Sequence, residues 1–260
     1  LGSGGGFIGT KSEVIDDLII LGRACPEKIR DGRITVCTAG YSETSGFIRV
    51  YPTHLYMPWH QWDIVSVPVE QNPYDNRTES WKIKGSKHEW DSLHKKIDIV
   101  GNFKEKHRLD FLHNLVDGCV KGINDDKRSL GIIKPTINNV FFAEQKNYDS
   151  TTQIDLSGLE QTKVKDQYPN QPRIKYNCSD CKATNNHDQQ VLEWGFYEWM
   201  RKNPGNIEQV WDNARISDSE YEKFFFIGNH FRYRSSFFII SVLRVKKKGI
   251  QKSLIPFKKI

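Results

Sequence analysis

From its amino end the chain alternates short apolar runs with polar, turn-rich stretches, and most of the runs are strand-sized. Val14–Leu21 reads as an opening strand or a short helix. Arg33–Thr38 alternates and is β-branched, Gly40–Gly46 is turn-like, and Phe47–Tyr51 ends at Pro52; the two runs predict a hairpin. Trp62–Glu70 places apolar side chains at Trp62, Ile64, Val65, Val67 and Val69 and predicts another strand, which Pro68 assigns to an edge or a bulge. Lys87–Val116, with Leu93, Ile97, Val100, Leu109, Leu112 and Leu115, predicts one or two amphipathic helices. Thr136–Phe142 and Arg173–Asn177 read as strands. Asp188–Lys202 reads as a helix stopped by Pro204-Gly205, with Asp188 as its cap or first-turn acid, and Ile207–Ala214 as a second short one. Lys223–Ile227 and Ser236–Val245 predict two strands about a turn at Gly228-Asn229.

This order is not a regular βαβ alternation. It predicts an α+β fold, a mixed or antiparallel sheet or small barrel with packed helices, in one composite domain. Residues 1–6 (LGSGGG) read as a linker or tag scar, 7–146 as an N-terminal α+β portion, 147–171 as a flexible connection without apolar period, and 172–260 as a helix-plus-strand portion packed on the first.

Composition narrows the picture. Hydrophobic residues make up 37% of the 260 positions and aromatics 12%, enough for a core, so a wholly disordered chain is excluded. No apolar run reaches the roughly 18 residues a membrane-spanning helix needs, so no membrane partner is expected. The 5 cysteines are too few for a disulfide scaffold, which points to a reducing compartment and a cytoplasmic location. The net charge of +6 is unevenly placed: residues 223–260 hold ten basic and no acidic side chains, and the rest of the chain is net −4. A basic closing segment predicts an acidic partner, most simply a nucleic acid backbone, with a solvated tail as the alternative.

Three groups of residues carry candidate chemistry. Cys178-x-x-Cys181 followed by His187 has the spacing that lets a turn aim two thiolates and an imidazole at one structural zinc ion. The fourth ligand is open among Cys25, Cys37, Cys119, Asp188 and water, and a redox pair or ordinary loop thiols are the alternatives. Asp75, Arg77 and Glu79 share one face if extended, either as a structural ion network or as acids with a phosphate-binding Arg; Asp188 and Glu193 complete the set of candidate catalytic residues. Phe47, Arg49 and Tyr51 alternate on one strand face, and Phe231-Arg232-Tyr233-Arg234 repeats the interleaving of aromatic and Arg. Arg49, Arg232, Tyr233, Arg234, Arg244, Lys246, Lys247 and Lys248 are the candidate nucleic-acid-binding residues. No Walker loop or nucleophile elbow is present.

The ordered segments VCTAG (Val36–Gly40), GFIRVYP (Gly46–Pro52), DNRTES (Asp75–Ser80), the CSDC–HDQQ stretch and FFIGN (Phe225–Asn229) resemble an uncharacterised bacterial protein family of about this length. The resemblance implies one architecture from Val14 to Val245 and a setting in bacterial genome maintenance or defence. It implies no activity and no site residue. The leading expectation is therefore a nucleic-acid-binding accessory protein. The first alternative is a metal-dependent nuclease or nucleotide-processing hydrolase. The second is a protein-interaction subunit presenting Trp194, Trp199 and Trp211 to a protein partner.

Overall fold

A computed structural model describes residues 11–146, 148–149, 163–181 and 183–247; the expected linker at 1–6, most of the expected connection at 147–171, and Lys248 lie outside these. The first layer is one sheet of seven strands: β1 (Ser12–Arg23), β2 (Glu27–Lys28), β3 (Ile34–Ser42), β4 (Gly46–Thr53), β5 (Asp63–Gln71), β6 (Ser80–Ile83) and β7 (Asp98–Asn102). The opening run is thus a strand. Ile15, Leu18 and Ile20 face one side of it, Ile19 and Leu21 the other, and a bulge falls between Ile15 and Leu18. Ser12–Ile19 pairs with β5 and Ile19–Arg23 with β3. This double pairing closes the sheet in the order β1-β3-β4-β6-β5 and back to β1, antiparallel except where β4 meets β6. That connectivity is the OB-fold, a five-stranded Greek-key barrel. Its interior holds Ile15, Leu18, Ile48, Val50, Trp59, Val67, Val69 and Trp81.

Two expectations change here. Pro68 marks neither an edge nor the bulge. β5 pairs β1 on one side, and on the other it is shared between β7 (at Asp63–Ser66) and β6 (at Val69–Gln71); Pro68, which has no N–H to donate, falls between the two. The stretch Lys87–Val116 is also not all helix. A 3₁₀ helix (Lys87–Lys96) and α1 (Glu105–Leu115) flank β7, whose β-branched Ile99 and Val100 complete the edge beside β5.

The second layer is the sheet β14-β13-β9-β8, formed by β8 (Val116–Asp117), β9 (Leu130–Ile133), β13 (Tyr221–Asn229) and β14 (Phe237–Lys246); α2 (Val120–Asp125) links β8 to β9. β13 runs through the expected turn, since Gly228 and Asn229 still pair β14 and the loop is 230–236. Strand period sends alternate residues of its apolar run to opposite faces. Phe224 and Phe226 join Ile19, Leu21, Ala39, Trp62 and Leu112 at the seam with the barrel, and Phe225 and Ile227 join the third layer. A strand covered on both faces needs such an unbroken apolar run.

The third layer is β10 (Pro135–Glu144), β11 (Asn170–Cys178) and β12 (His187–Gln190), with α3 (Trp194–Lys202) and α4 (Val210–Asn213). The helix expected from Asp188 starts only at Trp194. His187–Gln190 pairs with Arg173–Tyr176 instead, so Asp188 caps nothing. Buried Ile174, Tyr176, Phe196, Tyr197, Trp211 and Phe225 bind this layer to the second. The seam and this cluster make one composite α+β body. No helix among the described residues is long and apolar enough to cross a membrane.

Candidate metal centre and aromatic–basic face

Four side chains converge where the second and third layers meet. Cys119 caps the start of α2, its sulfur accepting from Lys121 N–H at 3.4 Å. Cys178 ends β11, Cys181 follows in the turn, and His187 opens β12 opposite Tyr176. The ligand atoms of all four lie within 4.8 Å of one another, and Cys181 Sγ is 3.3 Å from His187 Nε2. A tetrahedral zinc with S–Zn bonds of about 2.3 Å has sulfur–sulfur edges of roughly 3.8 Å, so a small contraction seats the ion. Burial pushes the Cys178 thiol up and the His187 imidazole down in pKa, which favours the uncharged thiol and the neutral imidazole. A bound cation reverses that preference at sulfur and suits the neutral imidazole as it stands. Three cysteines and one histidine, all supplied by the protein, fit a structural zinc site, which has no coordination position left open. The fourth candidate ligand is Cys119, 59 positions before Cys178. No local spacing marks it; strand pairing alone brings it there.

The acids of the DNRTES segment lie elsewhere and hold the barrel to the second layer. Arg77, 7% exposed, donates from Nε and Nη2 to Asp75 (2.6 Å at the shortest) and from Nη1 to Asn229 O (3.0 Å). Asp75 also accepts from Ser80 Oγ at 2.6 Å. Burial would raise its pKa, but the Arg77 and Ser80 hydrogen bonds outweigh it and hold the carboxyl below its usual range. Glu79 accepts from Ser129 N–H and Oγ. Arg49 is 4% exposed and does not face solvent, contrary to its expected role on a nucleic-acid surface. It donates to Ser129 O at 3.1 Å and to Cys37 Sγ, with burial pulling its pKa down. Its neighbours Phe47 and Tyr41 pack toward Phe226 and Phe111. Asp188 of β12 pairs with Arg173 of β11 at 2.8 Å, and Glu193 lies at the seam, so the four candidate acids and Arg77 form no single site.

The basic residues divide into two places. Arg232, Tyr233 and Arg234 are in loop 230–236, whereas Arg244, Lys246 and Lys247 are at the far end of β14, roughly 30 Å away at 3.3 Å per residue. Lys246 lies 3.7 Å from Glu220 and Arg244 lies 3.8 Å from Glu193, which blunts that end. The loop end is richer than the sequence indicated. Arg234 Nη1 donates to Asn76 Oδ1 at 3.0 Å, tying loop 230–236 to the β5–β6 loop, and Arg77 lies under Phe231 at 5.7 Å. Tyr74 is 86% exposed, Tyr233 66% and Phe231 45%, and His230 stacks on Tyr233. The tryptophans expected to form an exposed patch do not: Trp211 is buried, and Trp194 and Trp199 are half-buried.

Residues 15–113 match the family model for a domain of unknown function (DUF8758), and residues 116–259 match that for a second one (DUF8757), a span of more than half the chain. The first covers the barrel and most of α1, and the second begins at β8. No curated protein and no solved structure matches.

Proposed function

We propose that this chain, which belongs to the DUF8757 family, is a zinc-clasped protein that binds single-stranded nucleic acid through loops 72–79 and 230–236. The observation that carries the reading is three exposed aromatic rings, Tyr74, Phe231 and Tyr233, on two loops joined by the Arg234–Asn76 hydrogen bond and accompanied by exposed Arg232. Rings held beside cations are what stacked bases and a phosphate backbone require. Fold-level analogy adds weight. OB barrels bind oligonucleotides on the face of their second and third strands and on the loops flanking it. Here that face, with Ala39, Tyr41 and Phe47, is packed on the second layer. The β5–β6 loop, which carries Tyr74, is the loop between the fourth and fifth barrel strands and stays open to solvent.

Fluorescence anisotropy with labelled single-stranded and duplex oligonucleotides at low salt tests the reading. Single strands are expected to bind more tightly, with affinity falling steeply as salt rises. Tyr74→Ala and Tyr233→Ala should each weaken binding by about 1–3 kcal/mol, roughly 5- to 150-fold. Equal binding by the Tyr74→Ala/Tyr233→Ala double variant refutes the assignment of the face.

A second reading, metal-dependent cleavage of phosphodiesters, draws on the Cys–His cluster only as a metal-binding set. A site with four protein ligands suits structure better than hydrolysis, because a catalytic zinc needs one position for water. Product formation from the same oligonucleotides on adding zinc or magnesium, lost in Cys119→Ser, would establish it over simple binding.

A further inference from the structure

Away from the metal centre and the loops, a cleft of about 240 Å³ opens at the seam between the barrel and the second layer. Gly22, Arg23 and Gln61 line it from the barrel side, and Glu193, Trp194 and Ser241 from the other. Two buried N–H donors without a hydrogen-bond acceptor belong to residues of this one cleft: Arg23 Nε and Trp194 Nε1. A buried donor left unmatched costs about 1–3 kcal/mol; both atoms are enclosed as the cleft stands, and a small side-chain rotation toward an acceptor in the cleft would satisfy them.

The cation is fixed in position. The Arg23 guanidinium lies over the Trp194 ring at 4.5 Å, and its Nη2 donates to Leu55 O at 2.7 Å. Burial lowers its pKa to about 10, so it stays charged at neutral pH. Among the described residues no carboxylate lies within ion-pair distance of it. The two acids that also line the cleft have other partners. Glu193 accepts from Val242 N–H at 2.7 Å and from Ser241 Oγ and faces Arg244, while Glu198 is held by Arg201 at 2.9 Å. Gly195 lies in the first turn of α3, where a helix amide has no acceptor within the helix. Gln61 is anchored by donating to Leu21 O and Ser241 Oγ.

We propose that this cleft binds a small oxyanion-bearing molecule, a carboxylate or a phosphate, on Arg23, the Trp194 indole N–H and the amino end of α3. The volume is below the roughly 300–1,000 Å³ of drug-sized pockets, so the ligand is a compact acid. The site is separate from the aromatic loops, and its ligand is not a nucleic acid strand.

Titration of the full chain with sodium phosphate, and separately with succinate, at constant ionic strength tests this. The readouts are the NMR resonances of the Trp194 indole N–H and the Gly195 amide. Saturable shifts of both with either probe are expected, and the probe that saturates at lower concentration identifies the anion class. Arg23→Gln should weaken binding by about tenfold or more, the loss of a charge-assisted hydrogen bond. If Arg23→Gln does not fold, Trp194→Phe, read at Gly195, removes one donor and should still weaken binding several-fold. Shifts that fail to saturate with both probes, that are unchanged in both variants, or that appear only in loop 230–236 overturn the proposal.

Discussion

Arg77 and Asp75 form the most enclosed ion pair among the described residues, and Arg77 carries it to the second layer through Asn229 O. Asp75→Asn leaves Arg77 buried beside a neutral amide, and removal of one partner of such a pair costs about 3–5 kcal/mol. The loss depends on pH. The folded Asp75 carboxyl has a lowered pKa, so its stabilisation is present above the unfolded value near 4 and disappears as pH falls through the lowered folded value. Urea melts across pH 3–7 should show parent and Asp75→Asn far apart at pH 7 and converging in acid. Gly228 makes a different demand on its surroundings. A Cβ there would lie 2.5 Å from Ile240 Cδ1 and 3.0 Å from Arg49 Nη2, so Gly228→Ala should cost about 1–3 kcal/mol by overpacking, read as a lower urea midpoint at unchanged slope.

Elements differ in how far their own residues specify them. β13 and β14 were legible because an apolar run covered on both faces needs no outside information to be a strand. The hairpin β3–β4 was legible from its alternation. His187–Gln190 was not: the helical pattern of Phe196, Tyr197 and Met200 extends smoothly back through Val191, and pairing with β11 overrides it. β7 was hidden in the same way between two helical stretches. For the metal centre, the Cys178–Cys181–His187 set was legible as local spacing, whereas selection of Cys119 from the other candidates depended on tertiary structure. The ion would tie α2 of the second layer to the β11–β12 pair of the third. One equivalent of zinc per chain is expected by elemental analysis. Chelation or Cys119→Ser should lower the thermal midpoint sharply, since a ligand at a thousand times its dissociation constant contributes about 4 kcal/mol. Loss of the metal with no change in stability would remove its structural role.

At the scale of the whole molecule, the two family matches divide at the junction of α1 and β8, yet the apolar seam runs across that division. Ile19, Leu21 and Ala39 of the first part share one buried cluster with Phe224, Phe226, Ile240 and Leu243 of the second. A fragment ending at Leu115 should therefore bind a hydrophobic dye or associate, as seen by dye fluorescence and light scattering, whereas the full chain does neither. Phe226→Ala in the full chain should cost about 3–5 kcal/mol in urea unfolding, because it opens the seam from within. The charge asymmetry was legible as a tally but not as a surface: folding sends Arg232 and Lys246 to opposite ends of one strand and buries Arg49.

The burial of β13 on both faces has a consequence for biosynthesis. The strand that covers both the barrel and the outer sheet comes from Tyr221–Asn229, after twelve of the other strands. A ribosome that has released everything up to α4 has thus exported two unfinished apolar surfaces, and neither is covered until the last strands emerge. That interval is when such a chain is most exposed to misassembly. Slowing translation just before residue 221 should reduce the soluble yield, and co-expressing a holdase should restore it.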